Sequence, residues 1–313
     1  PLRMAPLIFI ATLLTHLFGG SAGREGAALQ LGGSIGNSLG KLFHFDEKDQ
    51  HIMIMCGMSA AFSALFGTPL AAAVFSMEVV SVGIMHYSAL VPCVIASLTA
   101  HGIASACGIA PEIFPIASIP AFTAKNALII GIFAVLCALV SILFCTTLHN
   151  AERLYKRFFK NPYVRALAGG LIVIGLTMLV GNQTYNGTGM NIITGCMEGK
   201  TVFPLAFLLK MVFTAATLGA GYKGGEIVPT LFIGSTFGTF FASAFGCSIP
   251  LCAAVGMGAV FCGVTNSPIT SLMICFELFG FDGMPYFLIA IALSYMLSGY
   301  YGLYQTQKFA YSK

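Results

Sequence analysis

The chain has 313 residues, of which 57% are hydrophobic and 8% charged, with 36 glycines, no tryptophan and a formal net charge of +4. A soluble globular domain carries about 25% charged residues, so this composition excludes one and implies an all-α polytopic membrane protein in a lipid bilayer, with room for roughly ten helical segments. The modest charge gives no basis for a nucleic-acid partner. Ten cysteines scattered through apolar runs without a C-x-x-C pair read as packing residues rather than disulfides or metal ligands; no metal or cofactor is expected.

The chain begins at Pro1 without a signal-peptide pattern, and a longer natural N-terminal portion is expected. Residues 6–18 read as a short apolar helix ending at Gly19-Gly20. After Gly23-Arg24-Glu25-Gly26-Ala27 a second helix is expected over 28–43. A polar bend, Asp46-Glu47-Lys48-Asp49, leads into two short helices broken at Gly67-Thr68-Pro69, where proline suits the first turn of a new helix. Spans follow over 89–106 and 127–148, separated by a loop holding Pro111, Pro115 and Pro120. The most basic stretch (Arg153, Lys156, Arg157, Lys160, Arg165) reads as a cytoplasmic loop by the positive-inside rule. A span over 167–180, a polar loop over 182–200 and an apolar helix over 203–219 that carries Lys210 precede Gly224-Gly225-Glu226-Ile227-Val228-Pro229. Lys210 reads as a snorkelling or helix-capping residue ahead of a pore cation. Two helix pairs and a polar tail with Gly302-Leu303-Tyr304 complete the chain.

Glu25 is the residue that composition least explains. An ionised carboxylate at bilayer depth costs about 3 kcal/mol or more, so it marks function by default. Its flanking glycines leave amides uncovered at the start of a helix, which makes an anion site. A tethered carboxylate there occupies the site when charged and vacates it when protonated, which is the behaviour of a gate.

The two halves of the sequence match, dividing the chain into units 1–150 and 151–313. Gly57, Met58, Phe62, Pro69 and Glu78 recur 199 residues later as Gly256, Met257, Phe261, Pro268 and Glu277. Gly23, Gly32 and Gly36 recur 202 residues later as Gly225, Gly234 and Gly238. Glycine and proline dominate, so what is copied is the set of backbone breaks, the best sequence pointer to a midplane ion site in a repeat-built transporter. Glu78 and Glu277 are equivalent and read as structural, at a helix end or a subunit interface. Glu25 pairs with Ile227 and Glu226 with Arg24, so these two carboxylates are not copies of each other.

Gly23-Arg24-Glu25-Gly26 resembles the G-K/R-E-G-P signature of the CLC chloride channels and transporters, with Ala27 in place of the usual proline, and Gly225-Glu226-Ile227-Val228-Pro229 resembles their G-x-F-x-P signature. The segment from Pro69 to Glu78 and the Gly302-Leu303-Tyr304 segment are also similar to family segments. The resemblance covers essentially the whole chain. It implies a CLC-like inverted repeat of short, tilted and broken helices, a homodimer, an anion pathway in each subunit and no enzymatic activity. The family's first anion-binding signature, G-S-G-I-P, belongs upstream of Pro1. Glu226 within the second signature, Ile227 where chloride-handling members have phenylalanine, and Val79 at the inner proton-transfer position are similar to the fluoride branch, which exchanges fluoride for protons; Val228 stands where that branch often has threonine. Carried over, the resemblance makes Glu25 the protonatable gate and Glu226 a second acidic residue. It places Gly23, Arg24, Gly26, Ile227 and Val228 along the anion path, Phe232 as an aromatic edge against fluoride, and Tyr304 as the inner tyrosine. The expected function is fluoride/proton antiport in a bacterial inner membrane, with a chloride channel or chloride/proton exchanger as the alternative.

Blander readings accompany each residue. Glu25 could be a buried ion pair with Arg24, Glu226 a solvated partner of Lys223, Phe232 plain core, and Tyr304 an interfacial anchor. A rival class, an intramembrane serine hydrolase, rests on G-x-S-x-G matches at Ser21 and Ser34. That motif needs a strand-to-helix elbow, whereas both segments are expected to be helical.

Overall fold

The fold was examined in a computed structural model that describes residues 2–116, 118–304, 306–311 and 313. Among the described residues thirteen α-helices follow in order: α1 (Met4–Leu17), α2 (Glu25–Leu42), α3 (Glu47–Phe66), α4 (Pro69–Glu78), α5 (Leu90–Ala106), α6 (Ala124–Phe158), α7 (Pro162–Val180), α8 (Met190–Met197), α9 (Ala206–Gly219), α10 (Ile227–Phe245), α11 (Ile249–Thr265), α12 (Pro268–Phe279) and α13 (Met284–Leu297). Among the described residues four helical stretches (87–106, 124–158, 162–180 and 227–245) are long and apolar enough to cross a membrane, and six further apolar helices are shorter. Breaks between short helices thus take the place of full-length spans. The described strands, β1 (Ser81–Val82) and β2 (Lys308–Phe309), form one parallel pair that ties the C-terminal tail to the end of α4.

Helix order and length fit the duplication read from the sequence. The helices α1 and α9 are both 14 residues long, and α2 and α10 are 18 and 19. In each half the second helix lies against the third, α2 on α3 and α10 on α11. Both crossings are glycine to glycine. A Cβ on Gly32 would strike the Gly57 carbonyl, and one on Gly234 would lie 2.5 Å from the Gly256 carbonyl oxygen. Close backbone approach of this kind supplies the packing that holds helices together where no hydrophobic effect acts between them. Residue 150 falls inside α6, so the copied helices are α1–α5 and α9–α13, with α6 to α8 between them.

The paired glutamates close the two helix breaks reciprocally. Glu78, the last residue of α4, accepts from the Ile269 and Thr270 amides at the start of α12 (3.1 and 2.8 Å) and from the Thr270 hydroxyl (2.6 Å). Glu277, near the end of α12, accepts from the Leu70 and Ala71 amides at the start of α4 (2.9 and 2.8 Å). Each carboxylate satisfies amides that a proline-started helix leaves unpaired and meets the positive end of that helix. Of the two structural readings, the helix-end one is what the geometry displays.

Two sequence expectations need correction. The span expected over 127–148 continues as one helix to Phe158, carrying Arg153, Lys156 and Arg157 on its last turns, and Arg165 lies in the first turns of α7. An α-helix rises 1.5 Å per residue, so 35 residues reach about 52 Å, well past a hydrocarbon core of about 30 Å. The expected basic loop is therefore mostly helix. The polar loop over 182–200 also contains the eight-residue helix α8.

Candidate functional site

Between α1 and α2 the chain runs through a non-helical segment, and so does the stretch before α10. The two meet at Gly23 and Gly225, whose amides each donate to the other's carbonyl at 2.7 Å in an antiparallel bridge. A Cβ on Gly225 would sit 2.6 Å from the Gly26 amide nitrogen, so glycine is required for the approach. The bridge sets the starts of α2 and α10 side by side. Each start presents amides without an intrahelical partner and a positive partial charge, so the two together form one concentrated anion-attracting locus.

Glu25 is the first residue of α2 and only 2% exposed. Its carboxylate folds back over Gly23, where a Cβ would collide with Oε2. The amides of Glu25, Arg24 and Val228 surround it, yet Oε2 is left without a hydrogen-bond partner. Arg24 is exposed and forms no ion pair with Glu25 among the described residues, so the buried-pair reading is not what the geometry displays. On the other side of the bridge, the His16 ring nitrogen Nε2 lies 3.2 Å from the Gly23 carbonyl oxygen.

Glu226 occupies the cap position of α10, with its carboxylate beside Gly26. It walls two cavities. One, of about 520 Å³, also touches Lys156, Arg165 and Lys223. The other, of about 440 Å³, is bounded by Gly26, Val79 and Tyr304. No Glu226–Lys223 ion pair occurs among the described residues. Tyr304 is held by the neighbouring Leu303 amide, which donates to the Val264 carbonyl (2.8 Å), and by Gln307, which donates to the carbonyls of Val79 and Thr265. Its hydroxyl is buried and unpartnered. Among the described residues four buried side-chain polar atoms lack a partner, and Glu25 Oε2 and Tyr304 Oη are two of them. Orphaned polar atoms are rare in folded proteins, and two of these four lie at this locus.

The structure therefore brings Gly23, Glu25, Gly26, Glu226 and Tyr304 together. Ile227 and Val228 form the buried first turn of α10 beside them. Phe232 stands further along, about 7–8 Å up the axis from the start of α10. It is fully buried between the Tyr185 ring, Gly189 and the ammonium of Lys210, and it lines neither cavity. Sequence reasoning missed His16 as a neighbour of the bridge and took Lys210 for a snorkelling or capping residue. The ammonium is instead completely buried and donates to the carbonyls of Tyr185 and Gly187. Ser21 lies in the irregular segment between α1 and α2, not the helix expected, with its hydroxyl against that of Thr214, and Ser34 sits within α2. Neither serine is on a strand-to-helix elbow.

Comparison with known proteins agrees with this architecture. The sequence profile of the voltage-gated chloride channels matches residues 1–299. A chloride/fluoride channel protein of Pseudomonas syringae pv. tomato is 35% identical over the whole chain, which spans 70% of that relative. The crystal structure of a CLC-type fluoride/proton antiporter superposes with a TM-score of 0.96 at 36% identity, covering 99% of this chain and 78% of that one. A slow cyanobacterial Cl⁻/H⁺ antiporter shares the fold at a TM-score of 0.76 and 21% identity, over 95% of this chain and 72% of its own. With residues 1–299 matched to one profile and a relative 35% identical over the whole of this chain, the chain belongs to the CLC family of anion channels and transporters, multi-pass proteins of the cell membrane.

Proposed function

We propose that the chain exports fluoride in exchange for protons and that Glu25 is the gate and proton carrier. The observation that carries this reading is the buried Glu25 carboxylate lying across the Gly23–Gly225 bridge with one oxygen unpaired. Charged, it fills the locus where the two helix starts converge and excludes a free anion by like charge. Protonated, it loses its attraction for those dipoles and can swing away, and an incoming anion takes its place. One carboxylate carrying one proton gives strict one-for-one exchange. Glu226, at the wall of both cavities, is the second acidic residue on the path, and Tyr304 offers its unpaired hydroxyl to the anion from the other side.

Fluoride suits this arrangement chemically. It is small and strongly hydrated, so it gives up water only for close donors, which helix-start amides and the positive rim of an aromatic ring supply. The names of two relatives support the same branch, a chloride/fluoride channel protein and a fluoride/proton antiporter. The subunit is read as half of a homodimer, as is usual in the family.

The test is efflux from proteoliposomes, with a fluoride electrode and a pH dye read together and chloride run in parallel. Fluoride leaving with one proton entering per ion, and proton movement lost in Glu25→Gln, is the expected result. Fluoride moving with no proton would remove Glu25 from its role. Chloride moving faster than fluoride would place the chain with the chloride-handling relatives.

A further inference from the structure

Lys210 is a cation with no place in the gating scheme. It lies in the middle of α9 with no exposed surface, and no carboxylate is paired with it among the described residues. A buried unpaired ammonium is among the most costly groups a protein can hold. Its compensation here is specific. Nζ donates to the carbonyls of Tyr185 (3.1 Å) and Gly187 (2.8 Å) and lies 5.1 Å from the centre of the Phe232 ring.

Those two carbonyls belong to the connection between α7 and α8, which rests on the turn leading to the gate. The Gly187 amide donates to the Gly20 carbonyl (3.0 Å). From the same face of α9, one and two turns beyond Lys210, Thr217 accepts from the Ser21 amide (3.0 Å) and Thr214 meets the Ser21 hydroxyl (3.1 Å). Two residues on, Gly23 forms the bridge that carries Glu25. A continuous hydrogen-bonded path therefore runs from the ammonium, through the 185–187 backbone, into the gate-bearing turn. The duplication isolates what is special about it. Thr214 and Thr217 have counterparts 202 residues earlier in Thr12 and Thr15, but the counterpart of Lys210 is Ile8. The cation stands only in the copy whose helix packs on the turn before Glu25.

We infer that Lys210 is a positioning residue for the gate: its ammonium clamps the 181–189 connection onto the Gly19–Ser21 turn and so holds Glu25 in register with the start of α10. The clamp itself is independent of which ion is carried; its effect on coupling rests on the proposed antiport.

Two readouts separate these. In Lys210→Met, hydrogen–deuterium exchange of purified protein is expected to rise in peptides covering 18–23 and 182–189, with α10 and α11 unchanged. In proteoliposomes the proton-to-fluoride ratio is expected to fall by roughly threefold or more, the size expected when one of two coupled groups is lost. A residue of merely structural importance would lower yield and leave the ratio of the surviving protein intact. Unchanged exchange in both segments overturns the inference, and so does raised exchange with an unchanged ratio. If Lys210→Met does not fold, Thr217→Val removes the acceptor of the Ser21 amide at almost constant volume and is read by the same two outcomes. A wild-type protein that moves fluoride without protons sinks the antiport proposal alone, and the exchange measurement still decides the clamp.

Discussion

Removing Glu78 should destabilise the protein more than removing Glu277, although the two residues are equivalent in the duplication. Glu78 is 7% exposed and accepts three hydrogen bonds, two from amides and one from the Thr270 hydroxyl. Glu277 is half-buried and accepts two, one of them from the amide of Leu70, a residue 47% exposed. A hydrogen bond to a charged group contributes about 1.5–3 kcal/mol, and a buried amide left without a partner costs about 1–3 kcal/mol. These terms overlap, so Glu78→Ala is expected to cost about 3–4 kcal/mol. Glu277→Ala should fall in the range of an ordinary helix-cap loss, about 1–2 kcal/mol. At about 2–3 °C per kcal/mol for a chain of this size, the melting temperatures of the two variants should differ by roughly 4–6 °C. With no tryptophan in the chain, the assay is thermal loss of the monodisperse peak in detergent by size-exclusion chromatography. Glu78→Gln, which keeps one acceptor oxygen, should fall between wild type and Glu78→Ala. Equal losses for Glu78→Ala and Glu277→Ala would refute the reasoning, because it assigns the stability to burial and bond count rather than to position in the repeat.

Gly225→Ala places a Cβ 2.6 Å from the Gly26 amide nitrogen and must open the bridge; coupled flux should fall by roughly tenfold or more in a protein that still elutes as a single species. Phe232→Leu removes the ring that faces the Lys210 ammonium and should cost about 1–2 kcal/mol, read as a lower melting temperature in detergent. Asn266 ends α11 in the left-handed region (φ 58°) while its amide donates to the Tyr301 carbonyl and to Gln307. Asn266→Ala should therefore lower the melting point, and Asn266→Gly, which relieves φ but not the lost bonds, should recover only part of it.

Much of the fold was legible because glycine and proline dictate backbone directly. The break at Gly67-Thr68-Pro69 appears as a left-handed Gly67 followed by a helix starting on Pro69, and its copy at Ser267-Pro268 behaves alike. The place of Glu25 was legible for a similar reason: a carboxylate amid apolar residues has few places to be, and Glu25 stands at a helix start. What hydropathy could not give was the end of α6. Apolarity stops near Leu148, but the Glu152–Lys156 pair and good helix formers carry the helix three turns further. Nor could it give α8, whose eight residues are too few for a periodic signal. Lys210 was visible as a charge in an apolar helix, but its acceptors are backbone carbonyls 25 and 23 residues away, and no side-chain pattern encodes them. Tyr304 follows the same rule, since its place depends on a tail stitched to α4 and α11 by single backbone bonds.

The division between what the two halves share and what they do not has a physical consequence. The shared features are backbone: glycine crossings, proline starts and carboxylate caps, which together bring two helix starts into contact at one bridge. Two identical starts would make a site attractive to any anion, with nothing to couple its occupancy to a proton. The unshared features are charges: Glu25 against Ile227, Glu226 against Arg24 and Lys210 against Ile8. They put the Glu25 carboxylate at one start and Glu226 at the other, and bury a cation against the 185–187 backbone. On the proposed mechanism an anion must then compete with Glu25 for the same dipoles, and a proton decides that competition. On that mechanism the repeated backbone provides the affinity, and the unshared charges provide the coupling.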